Sequence, residues 1–107
     1  MATELNRDNY ENETLKAEQP VLVDFWGAQC VPCLALNPAV EQIEKDYAGK
    51  LTVAKVNATE NRMLCARLRV ISLPTFIIYK NGSENQRLTG EKITAKDLKA
   101  AVNGIFS

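Results

Sequence analysis

The sequence predicts an α/β fold, a central mixed sheet of about five strands flanked by about four helices. Three observations carry this. Two nearly continuous apolar runs, "VLVDFW" (Val21–Trp26) and "LTVAKV" (Leu51–Val56), flank a stretch of helical periodicity. Together they span about 35 residues, the size of a right-handed βαβ unit with parallel strands. Further on, "TFIIYK" (Thr75–Lys80) runs into Asn81-Gly82. That dipeptide is a strong hairpin signal, because both turn positions need positive φ.

Each element can be justified in order. "TELN" is a short first strand, and Asn6 or Asp8 can cap a short helix running to about Lys16. Pro20 ends the connection. "VLVDFW" is β-branched and aromatic, as in a strand buried on both faces. A helix is predicted from about Val31 to Tyr47. Leu36, Val40, Ile43 and Tyr47 share one face of it, while Glu41, Glu44 and Lys45 face away. Pro38 should kink it, since the ring crowds the carbonyl of residue 34 and there is no N–H to donate. "LTVAKV" is the next strand. Asn57, with Glu60 three residues on, can start another helix that carries Leu64 and Leu68 inward. "ENQRLT" returns antiparallel to Thr75–Lys80. Thr94 and Asp97 form a capping-box pattern, and Leu98, Ala101, Val102 and Ile105 mark the inner face of a last helix. The expected sheet is parallel in the middle and antiparallel toward one edge, with helices on both faces. No repeat, linker or low-complexity tract divides the 107 residues, so residues 1–107 form one domain.

Composition narrows the function. Hydrophobic residues make up 46%, enough for a real core. Lys plus Arg total 13 and Asp plus Glu total 13, which argues against a general binder of nucleic acid or anionic membranes. The polar, acidic start predicts no secretory leader, no run approaches the roughly 20 apolar residues of a membrane span, and the expected location is the cytoplasm. There is no histidine, which excludes Cys/His zinc patterns, His-based triads and a His general base. Three cysteines cannot close a four-Cys zinc site, so no metal is expected.

Cys30 and Cys33 lie three positions apart in "FWGAQCVPCLALNPAVEQI". Cys30 falls where a buried strand ends and a helix begins. The first N–H groups of a helix lack intrahelical partners and carry partial positive charge, so a thiolate there is stabilised and becomes a usable nucleophile. Cys33 is one helical turn on, about 5–6 Å away on the same face, a separation a disulfide can bridge. Pro32 suits the first turn, where its missing N–H costs nothing. The pair therefore reads as a redox centre. Cys30 attacks a target disulfide, and Cys33 then attacks the Cys30 sulfur and closes the internal disulfide. Two cysteines that merely share a helix end are the bland alternative.

Asp24 interrupts the apolar strand six residues before Cys30. Burial would raise its pKa, and it could take the Cys33 proton; otherwise it is a solvated or hydrogen-bonded Asp at a strand edge. Lys55 interrupts the neighbouring strand and either pairs with Asp24 or snorkels out of the sheet. Cys65, on the predicted third helix, packs as a small hydrophobe or serves as a regulatory thiol.

Over essentially its whole length the chain resembles the thioredoxin family. "VLVDFW" is similar to the strand before that family's active site. "CVPC" stands where the family has C-G-P-C. Pro38 matches the helix-kinking proline, "SLPTFIIYKNG" is similar to the cis-proline strand and hairpin, and Gly90 matches a glycine beside the site. The resemblance implies a thioredoxin fold. It implies Cys30 as nucleophile, Cys33 as resolving thiol with a Cys30–Cys33 redox disulfide, Asp24 as buried acid and Lys55 beside it. It makes Pro74 cis against the disulfide, gives the Leu73 backbone an added substrate strand, and packs Trp26 under the active-site loop. Gln29, Val31 and Pro32 would meet the substrate. The chain departs from the family pattern at Gln29 (usually Trp), Val31 (usually Gly), Leu34 (usually Lys or Arg) and Ser72 (usually Gly).

The function so implied is a protein-disulfide reductase and electron carrier with no bound cofactor. It would act as a monomer on disulfide-containing target proteins and be recharged by a thioredoxin reductase, nicotinamide- or ferredoxin-linked. Two other functions fit the same fold: a dedicated disulfide oxidant or isomerase, and a non-catalytic binding subunit.

Overall fold

The computed structural model describes residues 2–107. Its sheet has five strands: β1 (Thr3–Glu4), β2 (Val21–Trp26), β3 (Thr52–Asn57), β4 (Thr75–Lys80) and β5 (Ser83–Thr89). Their spatial order is β1-β3-β2-β4-β5. β1 and β2 run parallel to β3, and β4 runs antiparallel to both β2 and β5. The parallel pairs thus occupy one half of the sheet rather than its middle, with β2 as the boundary between halves. The helices are α1 (Tyr10–Glu13), α2 (Val31–Ala35), α3 (Asn37–Asp46), α4 (Arg62–Arg67) and α5 (Ala95–Gly104), with a 3₁₀ turn at Ala58–Glu60. Among the described residues no helix is long and apolar enough to cross a membrane.

Both faces of the sheet are covered, which is why β2 and β4 read as nearly continuous apolar runs. Alternation along β2 sends Leu22 to one face with Val40 and Ile43 of α3, Phe76 of β4, and Leu98 and Val102 of α5. It sends Val21, Val23 and Phe25 to the other, with Tyr10, Leu64, Cys65, Ile77 and Tyr79. β5 is an exposed edge whose polar residues discourage further pairing. Its hairpin turn has φ of 55° at Asn81 and 81° at Gly82, the two positive values expected there. The expected Thr94–Asp97 capping box is present at α5, and Leu98, Ala101, Val102 and Ile105 are buried.

Three local expectations change. The helix predicted over 31–47 is two helices, broken at Leu36 rather than bent. The N–H of Leu36 bonds back to the Cys33 carbonyl at 3.2 Å, a tightened turn, and Pro38 sits in the first turn of α3, where its lack of a donor costs least. Asn6 does organise the chain before α1, accepting from the backbone N–H of Asp8 at 2.8 Å and of Asn9 at 3.2 Å. Asn9 is the N-cap residue, however, and α1 ends at Glu13 rather than near Lys16. Asn57 caps the 3₁₀ turn, accepting from Thr59 N–H at 3.1 Å, and α4 starts later, after Asn61.

Candidate functional site

β2 carries the chain out of the core and delivers Cys30 to the N-cap of α2. Cys30 and Cys33 are joined by a disulfide, with Cα atoms 5.2 Å apart. The Cys33 backbone N–H points at the Cys30 sulfur at 3.2 Å. In the dithiol form the same donor would face a thiolate, which lowers the pKa of a cysteine so placed. The two sulfurs are not equivalent in access. Cys30 is partly exposed, whereas Cys33 is 2% exposed.

The loop before Cys30 is tightly enclosed. A Cβ added at Gly27 would lie 3.3 Å from Leu73 Cδ1, 3.8 Å from Thr59 Oγ1 and 3.9 Å from Cys30 Cβ. Leu73 and the 3₁₀ turn therefore close on this loop from two sides. The Leu73-Pro74 bond is cis, and Gly90, at φ 109°, donates its N–H to the Pro74 carbonyl at 3.0 Å. Leu73 itself makes no backbone hydrogen bond among the described residues. Large apolar side chains are exposed next to the cysteines and before Leu73. Val31 is 73% exposed and Leu34 45%, while Ile71, two residues before Leu73, is 93% exposed.

The strand that leads to Cys30 also carries a buried acid. Asp24 is 1% exposed and shares its face of the sheet with Leu22 and Val53. Neither of its carboxylate oxygens has a hydrogen-bond partner among the described residues. Its neighbour in register on β3 is Lys55, whose Nζ lies 3.9 Å from Asp24 Oδ2. Burial pushes the Asp24 pKa up to about 6, against the pull of the Lys55 ammonium and with a small push from Glu4. Lys55 is still partly exposed, so it both snorkels and pairs.

The structure thus brings Cys30, Cys33, Gly27, Leu73, Pro74 and Gly90 together, with Val31, Pro32 and Leu34 beside the disulfide. Gln29 is exposed on the loop just before Cys30. Trp26 lines a recess with Glu4, Leu5, Asn57 and Glu60, and its buried indole N–H has no partner among the described residues. Cys65 packs in the core between α4 and the sheet, where burial raises its thiol pKa. Sequence reasoning passed over two residues here. Ile71 lies in a loop with no periodic pattern to mark it. Asn37, whose side chain meets Lys55, is an ordinary polar residue before a proline. No group of three or more His, Cys, Asp and Glu side chains arranged to hold a metal ion occurs among the described residues.

Comparison with known proteins agrees with this geometry. The family model described as Thioredoxin matches residues 1–104. A thioredoxin of Acetoanaerobium sticklandii is 40% identical over 99 residues, covering 92% of this chain and 94% of the relative. One from Rickettsia bellii is 39% identical over 90 residues, covering 84% and 86%. One from Peptoclostridium acidaminophilum is 34% identical over 102 residues, covering 95% and 93%.

Proposed function

The chain belongs to the thioredoxin family and is a thiol–disulfide oxidoreductase, and on that premise we propose how its residues divide the exchange. The Cys30 thiolate attacks one sulfur of a target disulfide. The target S–S bond breaks, its other sulfur leaves as a thiolate, and a mixed disulfide forms. Cys33 gives its proton to the Asp24 carboxylate and attacks the Cys30 sulfur. The target's remaining sulfur is expelled as a thiolate, and Cys30–Cys33 closes. Two electrons pass from the cysteine pair to the target.

The observation that carries this assignment is the unequal access of the two sulfurs. Cys33 is buried, so a protein-sized disulfide can meet only Cys30. Asp24 suits the proton because its raised pKa sits near neutrality, where an acceptor of this kind is most effective. Lys55 keeps that pKa from rising further. The free Leu73 backbone offers a target segment an added strand beside Pro74 and Gly90. Gln29, Val31, Pro32, Leu34 and Ile71 form the rim it crosses. Trp26 braces the end of β2 from which the active-site loop departs.

Thioredoxins generally work with thioredoxin reductase and disulfide-bearing targets. We take the donor here to be the nicotinamide-linked reductase, the family's usual one, ahead of a ferredoxin-linked enzyme. The chain acts as a monomer without a bound cofactor. It works in the cytoplasm, because the dithiol product persists where thiols are kept reduced. Reduction of insulin disulfides by wild type and Cys30→Ser tests the reading. The variant should lose activity; equal activity in both would remove Cys30 from the chemistry.

A further inference from the structure

Among the described residues the Lys55 ammonium has two partners, and the nearer is not Asp24. Asn37 Oδ1 accepts from Lys55 Nζ at 3.3 Å, while Asp24 Oδ2 lies 3.9 Å away. Asn37 is the first residue of α3, just past the break at Leu36. The break therefore points a polar side chain of the helix down at the sheet residue beside Asp24. Lys55 stands on an open recess lined by Glu41, Glu44 and Lys45 of α3 and is 23% exposed, so water is within reach of its flexible stem.

We propose that Asn37 is a positioning residue, whose amide oxygen anchors the Lys55 ammonium within ion-pair reach of Asp24 and so sets how readily Asp24 takes the exchange proton. Among the described residues the ammonium is the one attractive charge acting on a carboxylate that is otherwise bare of hydrogen bonds. The other groups facing Asp24 oppose ionisation or are neutral. Glu4 on β1 is the register neighbour of Lys55 and repels the carboxylate. β4 offers only Phe76 opposite Asp24. The α2 cysteines are tied in the disulfide. An ammonium released from Asn37 exchanges this pocket for water, and Asp24 then holds its proton to higher pH.

The inference rests on the reading of Asp24 as proton acceptor, but its test needs no turnover. The Asp24 carboxyl carbon is titrated by NMR in the oxidised full-length protein, for wild type, Asn37→Ala, Lys55→Met and the double variant. Asn37→Ala should raise the midpoint by roughly half a unit or more, the scale on which loss of a nearby opposite charge acts. In the Lys55→Met background the same substitution should move it by less than that, since no ammonium is left to anchor. A smaller rise, a fall, or an equal rise in both backgrounds would overturn the proposal. Should the midpoints move as expected while Asp24→Asn reduces insulin as fast as wild type, the anchor stands and the proton-acceptor role of Asp24 fails instead.

Discussion

Replacing Asp24 by Asn should stabilise the oxidised protein at neutral pH. The carboxylate is 1% exposed, and neither oxygen has a hydrogen-bond partner among the described residues. Its pKa moves from 3.8 to about 6 on folding. The sign follows from linkage. Well below pH 4 the acid is neutral in both states, so its ionisation costs nothing. Between about pH 4 and 6 the unfolded chain gives up the proton while the folded chain retains it, so stability falls as pH rises. The difference between 6 and 3.8 is about 2.2 units, and at 1.36 kcal/mol per unit the folded state loses about 3 kcal/mol by pH 7. Asn carries no charge and escapes that loss. Urea unfolding of wild type and Asp24→Asn, with the disulfide intact, measures it from pH 4 to pH 8. The two should be similar near pH 4 and separate by about 3 kcal/mol above pH 7, with the variant more stable and m unchanged. A variant that is less stable at pH 7.5, or a gap that does not change with pH, would refute the argument.

The remaining predictions concern the frame. Thr94→Ala removes the acceptor for Asp97 N–H at 3.0 Å and should cost about 1 kcal/mol in urea unfolding; no loss would mean that α5 starts without its cap. Tyr79→Phe leaves the Tyr10 hydroxyl without its 2.7 Å partner in the core and should cost about 1–3 kcal/mol. Replacing both tyrosines should cost less than the sum of the single changes, and simple additivity would contradict a shared hydrogen bond. Cys65 is buried with a raised thiol pKa, so iodoacetamide should reach it only on unfolding; rapid labelling of native protein would place it at the surface.

Much of this architecture was legible because the sheet is buried on both faces. β2 and β4 are long apolar runs, and Asn81-Gly82 can satisfy its turn in few other ways. Asp24 stood out by contrast, as a lone acid among Val21, Leu22, Val23 and Phe25. Helix ends were less legible, since they depend on backbone competition rather than periodicity. Pro38 announced a distortion, yet whether a helix bends or breaks depends on how the turn before it closes, and here Leu36 bonds to Cys33. α4 ends through Arg69 at φ 59°, a conformation that glycine or asparagine would have signalled and arginine does not. The site beyond the cysteine motif was hidden for a similar reason. Asn37 meets Lys55 through a position in space that no spacing in the chain records.

The exchange rests on one division of labour, in which Cys30 attacks and Cys33 resolves. Its most direct test is the covalent product formed when Cys33→Ser protein meets a disulfide-bearing target. Without the resolving thiol, the mixed disulfide should accumulate, and mass spectrometry of its peptides should find the target joined to Cys30. A target joined to Cys65, or no trapped adduct while Cys30→Ser traps one through Cys33, would contradict the account.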